Sequence, residues 1–143
     1  MEIQKKLSEN AMQWLMDKSS LTKRLKNATQ NKIHFCLIQD WQLENSKYNR
    51  MIEWQLEGIR WIQAKSFIPE NSINEHTKAL FEVNTRPIGE ILFDDPNLKR
   101  TDFLLCEESD LTWTRRSIFD FKGQPLILIE TFYPAFFAGI ALC

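Results

Sequence analysis

The chain has 143 residues, the length of one ordinary domain, and 43% are hydrophobic and 26% charged, enough apolar material for a single core. Its 18 basic and 19 acidic side chains leave a formal charge of −1, without the basic excess of a nucleic-acid binder. Four glycines, in no P-loop or dinucleotide-binding spacing, exclude the common phosphate cradles.

Cys36, Cys106 and Cys143 are odd in number, far apart and in no CxxC pair, which fits a reduced cytoplasmic protein better than a disulfide scaffold. His34 and His76 have no partner at ligand spacing, so no metal site is expected. The opening Met1-Glu-Ile-Gln-Lys-Lys lacks the apolar run of a secretory signal. Residues 135–143 are apolar but too few to span a bilayer, and they read as a packed tail.

Taken in order, the chain begins as helix. Ser8 is placed to cap a segment running to about Lys18, with Ala11, Met12, Trp14 and Leu15 on its apolar face. Ser19-Ser20 offers a second cap, followed by Leu21 and Leu25 at i, i+4. A strand pattern starts near Lys32 and runs to Ile38.

The next run, residues 48–57, alternates cleanly. Tyr48, Arg50, Ile52, Trp54 and Leu56 share one face, while Asn49, Met51, Glu53, Gln55 and Glu57 share the other. Glu57-Gly58 suits a tight hairpin turn, and the returning strand, residues 60–68, stops at Pro69. Ser72-Ile-Asn-Glu75 has the spacing of a capping box, which predicts a helix carrying Ile73, Leu80 and Phe81. Pro87 suits the first turn of a further short helix with Ile88, Ile91, Leu92 and Phe93.

Three strands complete the chain, at about residues 99–106, 113–121 and 124–132, the last two joined tightly at Lys122-Gly123. Short connections make neighbouring strands antiparallel. The expected fold is therefore α+β, about six strands and four helices. With no repeat, low-complexity tract or linker, residues 1–143 read as a single domain.

Two residues break the pattern. Arg50 lies on the apolar face of its strand, where a guanidinium is costly unless an anion meets it. Glu130 lies inside Leu126-Ile-Leu-Ile-Glu-Thr-Phe132, a strand apolar on both parities, which predicts a central position covered on both sides. A carboxylate there needs a donor, a raised pKa or both. The structural explanation is ion pairing: Arg115, Arg116 or Lys65 with Glu130, and Glu53 bent towards Arg50. The functional explanation is an apolar pocket with one cation and one carboxylate, suited to a small aromatic acid.

Four segments together resemble chorismate lyase. They are Trp14-Leu-Met-Asp-Lys-Ser-Ser-Leu-Thr-Lys-Arg-Leu25; Arg50 followed by Gly58, Trp61 and Phe67-Ile-Pro69; Arg86-Pro-Ile-Gly-Glu-Ile-Leu-Phe93; and Arg115-Arg-Ser with Gly123-Gln-Pro-Leu-Ile-Leu-Ile-Glu-Thr-Phe-Tyr-Pro134. They cover roughly residues 12–136, in the family's order.

The resemblance implies an α+β enzyme that splits chorismate into 4-hydroxybenzoate and pyruvate, the first committed step of ubiquinone biosynthesis. It implies a cytoplasmic monomer without a cofactor, without nucleic acid and without stable membrane insertion. The family's substrate arginine falls on Arg50 and its buried glutamate on Glu130, with backbone contacts at Leu21 and Ile88. Met51 stands where the family often has Glu, and Lys65 where it often has Arg. A second cation for the dianionic substrate is sought among Lys23, Arg24, Lys65, Arg86 and Arg115. Two alternatives share the fold: a non-catalytic binder of aromatic carboxylates, and an enzyme making another hydroxybenzoate.

Overall fold

The computed structural model describes residues 7–82 and 85–143, so the opening hexapeptide lies outside the described residues. Seven antiparallel strands form one sheet: β1 (His34–Glu44), β2 (Lys47–Leu56), β3 (Ile59–Pro69), β4 (Lys99–Arg100), β5 (Leu104–Ser109), β6 (Thr112–Phe121) and β7 (Gln124–Phe132). Their spatial order is β1-β2-β3-β7-β6-β4, with β5 on the same edge of β6 as β4. The helices are α1 (Glu9–Met16), α2 (Leu21–Ala28), α3 (Gly89–Leu92) and α4 (Pro134–Ile140). This is the α+β class expected.

The caps act where the sequence puts them. Ser8 Oγ accepts from Ala11 N at 3.1 Å and Ser20 Oγ from Lys23 N at 3.3 Å, starting α1 and α2. Glu57-Gly58 and Lys122-Gly123 both adopt positive φ, the geometry of a two-residue hairpin turn. Asn45-Ser46 makes a third such turn without glycine, which lets β1 run on to Glu44 through polar residues that the apolar pattern does not reveal.

The expected helix after Ser72 does not form. Two 3-10 turns, Glu70–Ser72 and Lys78–Phe81, stand in its place. Asn74 supplies the reason: its side chain accepts from His76 N at 2.8 Å and Thr77 N at 3.1 Å, while Thr77 Oγ1 donates to Ser72 O at 3.0 Å. These local bonds compete with the helical ladder, and the Ser72/Glu75 capping box is not used. The fourth helix is instead α4, within the apolar tail.

The expected strand 99–106 is also interrupted. Ile118 N donates to Thr101 Oγ1 at 2.9 Å, a side chain standing in for the ladder, and pairing resumes at Leu104. Between the two strands, Phe103 places its ring 4.5 Å from the Arg100 guanidinium carbon and 4.4 Å from that of Arg115.

The core lies on one face of the sheet. At one end, Phe136 of α4 meets Trp14, Trp61 and Phe132 edge-on, with centroids 5.6, 6.0 and 5.0 Å away. At the other, Leu80, Ile88 and Leu92 pack on Ile68, Phe119 and Leu126. The outer face of β7 is only half-buried at Ile127 and Ile129, so this strand is central but not covered on both sides. One covered face suffices, because Glu130 shares it with Leu126 and Phe132.

Candidate active site

Strand register assembles the site. Arg50, Ser66, Leu128 and Ser117 form one row across β2, β3, β7 and β6. Ile52, Ala64, Glu130 and Arg115 form the next. Arg50 and Glu130 are therefore two strands and one side-chain step apart, roughly 12 Å between Cα atoms. On β3, between them, stand the small residues Ser66 and Ala64, which leave the floor hollow.

The roof comes from two helical segments. Leu21 and Thr22 open α2, while Ile88, Gly89 and Leu92 come from α3 and its start. The pocket so formed holds about 550 Å³ of empty space, counting its mouth. Arg50, Glu130, Leu21 and Ile88 all line it. The sequence expectations thus converge on one cavity.

Leu21, in the first turn of α2, has an N–H without an intrahelical acceptor. α3 is a single turn with Ile88 at its N-cap, and Ile88 lies at the cavity wall.

Glu130 is 3% exposed and held on both oxygens. Arg115 Nε donates to Oε1 at 2.6 Å and its Nη2 to Oε2 at 3.3 Å. Arg100 Nη2 adds a bond to Oε1 at 3.3 Å. The ion-pair explanation is thus realised through Arg115, yet Glu130 still faces the cavity. Each carboxylate oxygen offers two acceptor positions, so Oε2 keeps one.

Arg50 is 2% exposed. Its Nη2 donates to Arg86 O at 2.8 Å, and its guanidinium lies 5.5 Å from the Phe35 ring. Burial lowers its pKa, and the charge on Asp40 acts in the opposite direction. Glu53 does not turn towards it: that carboxylate is on the outer face, 3.5 Å from Arg60 Nη1.

None of the five candidates for a second cation lines this pocket. Arg24 pairs with Asp17 at 2.9 Å, and Arg86 with Glu90 at 3.0 Å. Lys23 is exposed, Lys65 lies on the outer face, and Arg115 sits behind Glu130. The lining cation that sequence reasoning missed is Arg100. Its strand has two residues and follows a long connection, so neither alternation nor hairpin counting fixes its face. Burial lowers its pKa to about 10, with Glu130 opposing that shift and Arg115 adding to it.

The family model described as chorismate lyase matches residues 2–141. The chain belongs to the chorismate lyase family. Among curated relatives, it is 32% identical to a chorismate pyruvate-lyase of Yersinia enterocolitica, covering 85% of this chain and 80% of that protein. It is 29% identical to that of Erwinia tasmaniensis, covering 90% and 81%, and 27% identical to that of Photorhabdus laumondii, covering 90% and 83%.

The two departures from the family's usual residues fall together. Met51 and Lys65 are cross-strand partners on the outer face, and neither lines the pocket. Among the described residues, no helix is long and apolar enough to cross a membrane, and no group of three His, Cys, Asp or Glu is placed to hold a metal.

Proposed function

We propose that this chorismate lyase works in the pocket between Arg50 and Glu130, converting chorismate to 4-hydroxybenzoate and pyruvate. The observation that carries this reading is the placing of a cation and a hydrogen-bonded carboxylate at opposite ends of one small cavity. The substrate ring carries a carboxylate at C1 and a hydroxyl at C4, also at opposite ends.

Arg50 grips the C1 carboxylate, offering the forked geometry that an ammonium lacks. Backbone N–H groups at Leu21 and Ile88 add contacts along the ring. Glu130 uses its remaining acceptor position for the C4 hydroxyl. The reaction removes the hydrogen at C4, and that electron pair becomes the C3–C4 double bond. The C3–O pair leaves with enolpyruvate, which gains a proton at its methylene carbon and becomes pyruvate. Protons balance, nothing is oxidised, and aromaticity drives the step, so the chemistry calls for no cofactor. The protein's task is to hold one reactive geometry and to stabilise charge on the leaving group.

The same reading makes the protein a cytoplasmic monomer that supplies 4-hydroxybenzoate to ubiquinone assembly. Thiols left unpaired at Cys36, Cys106 and Cys143 support a reducing compartment.

The test is incubation of the purified protein with chorismate, products being separated by chromatography. Equimolar 4-hydroxybenzoate and pyruvate are expected, lost in folded Arg50→Ala and Glu130→Ala variants. Intact chorismate beside a folded protein that binds 4-hydroxybenzoate would overturn the reading in favour of a binding module. A different hydroxybenzoate isomer would identify a related enzyme.

A further inference from the structure

We propose that Arg100 is the second substrate cation: it holds the enolpyruvyl carboxylate and stabilises the enolate oxygen as the C3–O bond breaks. The proposal rests on the lyase reading and adds a residue to it.

Position is the first argument. Arg100 lines the same cavity as Arg50, and its Nη2 lies 3.3 Å from Glu130 Oε1. In chorismate the C3 ether is next to the C4 hydroxyl. A residue beside Glu130 is therefore beside the leaving group, whereas Arg50 is at the far end of the ring.

The hydrogen-bond inventory is the second. Glu130 already has two bonds from Arg115, one of them 2.6 Å, so Arg100 is not needed to neutralise it. Arg100 spends Nε on Ser117 Oγ at 3.0 Å, one Nη1 proton on Lys18 O at 3.4 Å and one Nη2 proton on Glu130. A guanidinium has five N–H groups, so one remains on each terminal nitrogen to meet a carboxylate.

Preorganisation is the third. The guanidinium carbon lies 4.5 Å from the rings of both Phe103 and Phe119, and the side chain is 6% exposed. A fixed, desolvated cation stabilises developing charge without first having to reorient. The lining charges then match the substrate: two guanidiniums for two carboxylates, with Glu130 balanced by Arg115 behind it.

The experiment compares ligands that differ by one carboxylate. Binding of 3-(carboxymethoxy)-4-hydroxybenzoate, 3-methoxy-4-hydroxybenzoate and 4-hydroxybenzoate is followed by tryptophan fluorescence in wild type, Arg100→Gln and Arg100→Lys, with circular dichroism to confirm folding. Wild type should bind the dicarboxylate at least tenfold more tightly than the methoxy compound. Arg100→Gln should lose that margin, keep 4-hydroxybenzoate affinity within threefold and drop kcat/KM for chorismate at least a hundredfold; Arg100→Lys should fall between.

No margin in wild type overturns the proposal without any variant. Equal weakening of all three ligands in Arg100→Gln also overturns it, showing that Arg100 only positions Glu130. A wild type that turns over chorismate, with Arg100→Gln equally active, sinks the Arg100 role and leaves the lyase. A wild type that leaves chorismate intact but shows the Arg100-dependent margin sinks the lyase and leaves the cation site.

Discussion

Arg115 on β6 and Glu130 on β7 are direct cross-strand partners, and the guanidinium reaches the carboxylate twice, at 2.6 and 3.3 Å. Its third nitrogen, Nη1, donates to the carbonyls of Trp14 at 3.2 Å, Leu15 at 2.9 Å and Asp17 at 3.4 Å. One buried side chain thus holds the candidate site's carboxylate and ties down the C-terminal end of α1, where the Asp17 N–H reaches Trp14 O only at 3.4 Å. Removing one member of a buried pair strands the other. Arg115→Met should lower stability by about 3–5 kcal/mol. Urea denaturation reads this as a shifted midpoint, and a change below about 1 kcal/mol would show that the pair is dispensable.

Arg50 is expected to act on binding. Arg50→Lys keeps the charge and loses the fork, so 4-hydroxybenzoate affinity should fall roughly 10- to 100-fold, the worth of a charge-assisted bond. Fluorescence titration of folded protein measures it. Unchanged affinity would move the carboxylate elsewhere in the pocket.

Alkaline pH should disable the site before it unfolds the protein. Burial lowers the Arg100 pKa to about 10, so its charge is lost as pH rises through that value. Because kcat/KM reports the free enzyme, it should fall with an apparent pKa near 10, whereas kcat should hold to higher pH, since a bound carboxylate favours the charged guanidinium. For stability the sign is opposite. With the folded pKa below the unfolded one, the unfolded chain binds more protons between the two, and this group adds stability as pH rises there. A kcat/KM still flat a full unit above the expected limb would refute the assignment.

Met51 and Lys65 lie opposite each other on the face turned away from the pocket. Met51→Glu and Lys65→Arg, singly or together, should therefore change kcat/KM by less than about threefold, because neither side chain reaches the pocket. A larger gain would mean that the outer face communicates with the pocket.

The candidate site was readable where a charge broke a periodic pattern. Arg50 and Glu130 stand out because a two-residue alternation assigns each to an apolar face, and burial follows. Leu21 and Ile88 are proposed to act through their backbones, which no side-chain pattern marks; only the likeness to a family locates them. Arg100 left no signal, since its place depends on a side-chain-mediated break at Thr101 and on the register of β6. In the fold, β1 ran past its apolar stretch because an edge strand tolerates polar residues, and Asn74 diverted the middle helix.

The far end of the core offers a test independent of chemistry. Gly139 in α4 packs against Trp61 so closely that a Cβ there would fall on the ring, 2.9 Å from Cε2 and closer still to Cζ2 and Cη2. Helix propensity alone favours alanine over glycine by about 1 kcal/mol. Overpacking costs about 1–3 kcal/mol, and it should win because Trp61 is 4% exposed and wedged against Phe136. Gly139→Ala should thus destabilise the protein while leaving 4-hydroxybenzoate affinity intact, as neither Gly139 nor Trp61 lines the pocket. Shrinking the ring should reverse the sign: in a Trp61→Phe background the same change should become neutral or stabilising. Thermal melts of the four proteins in that cycle decide it, and additive effects would mean that the two residues do not compete for the same space.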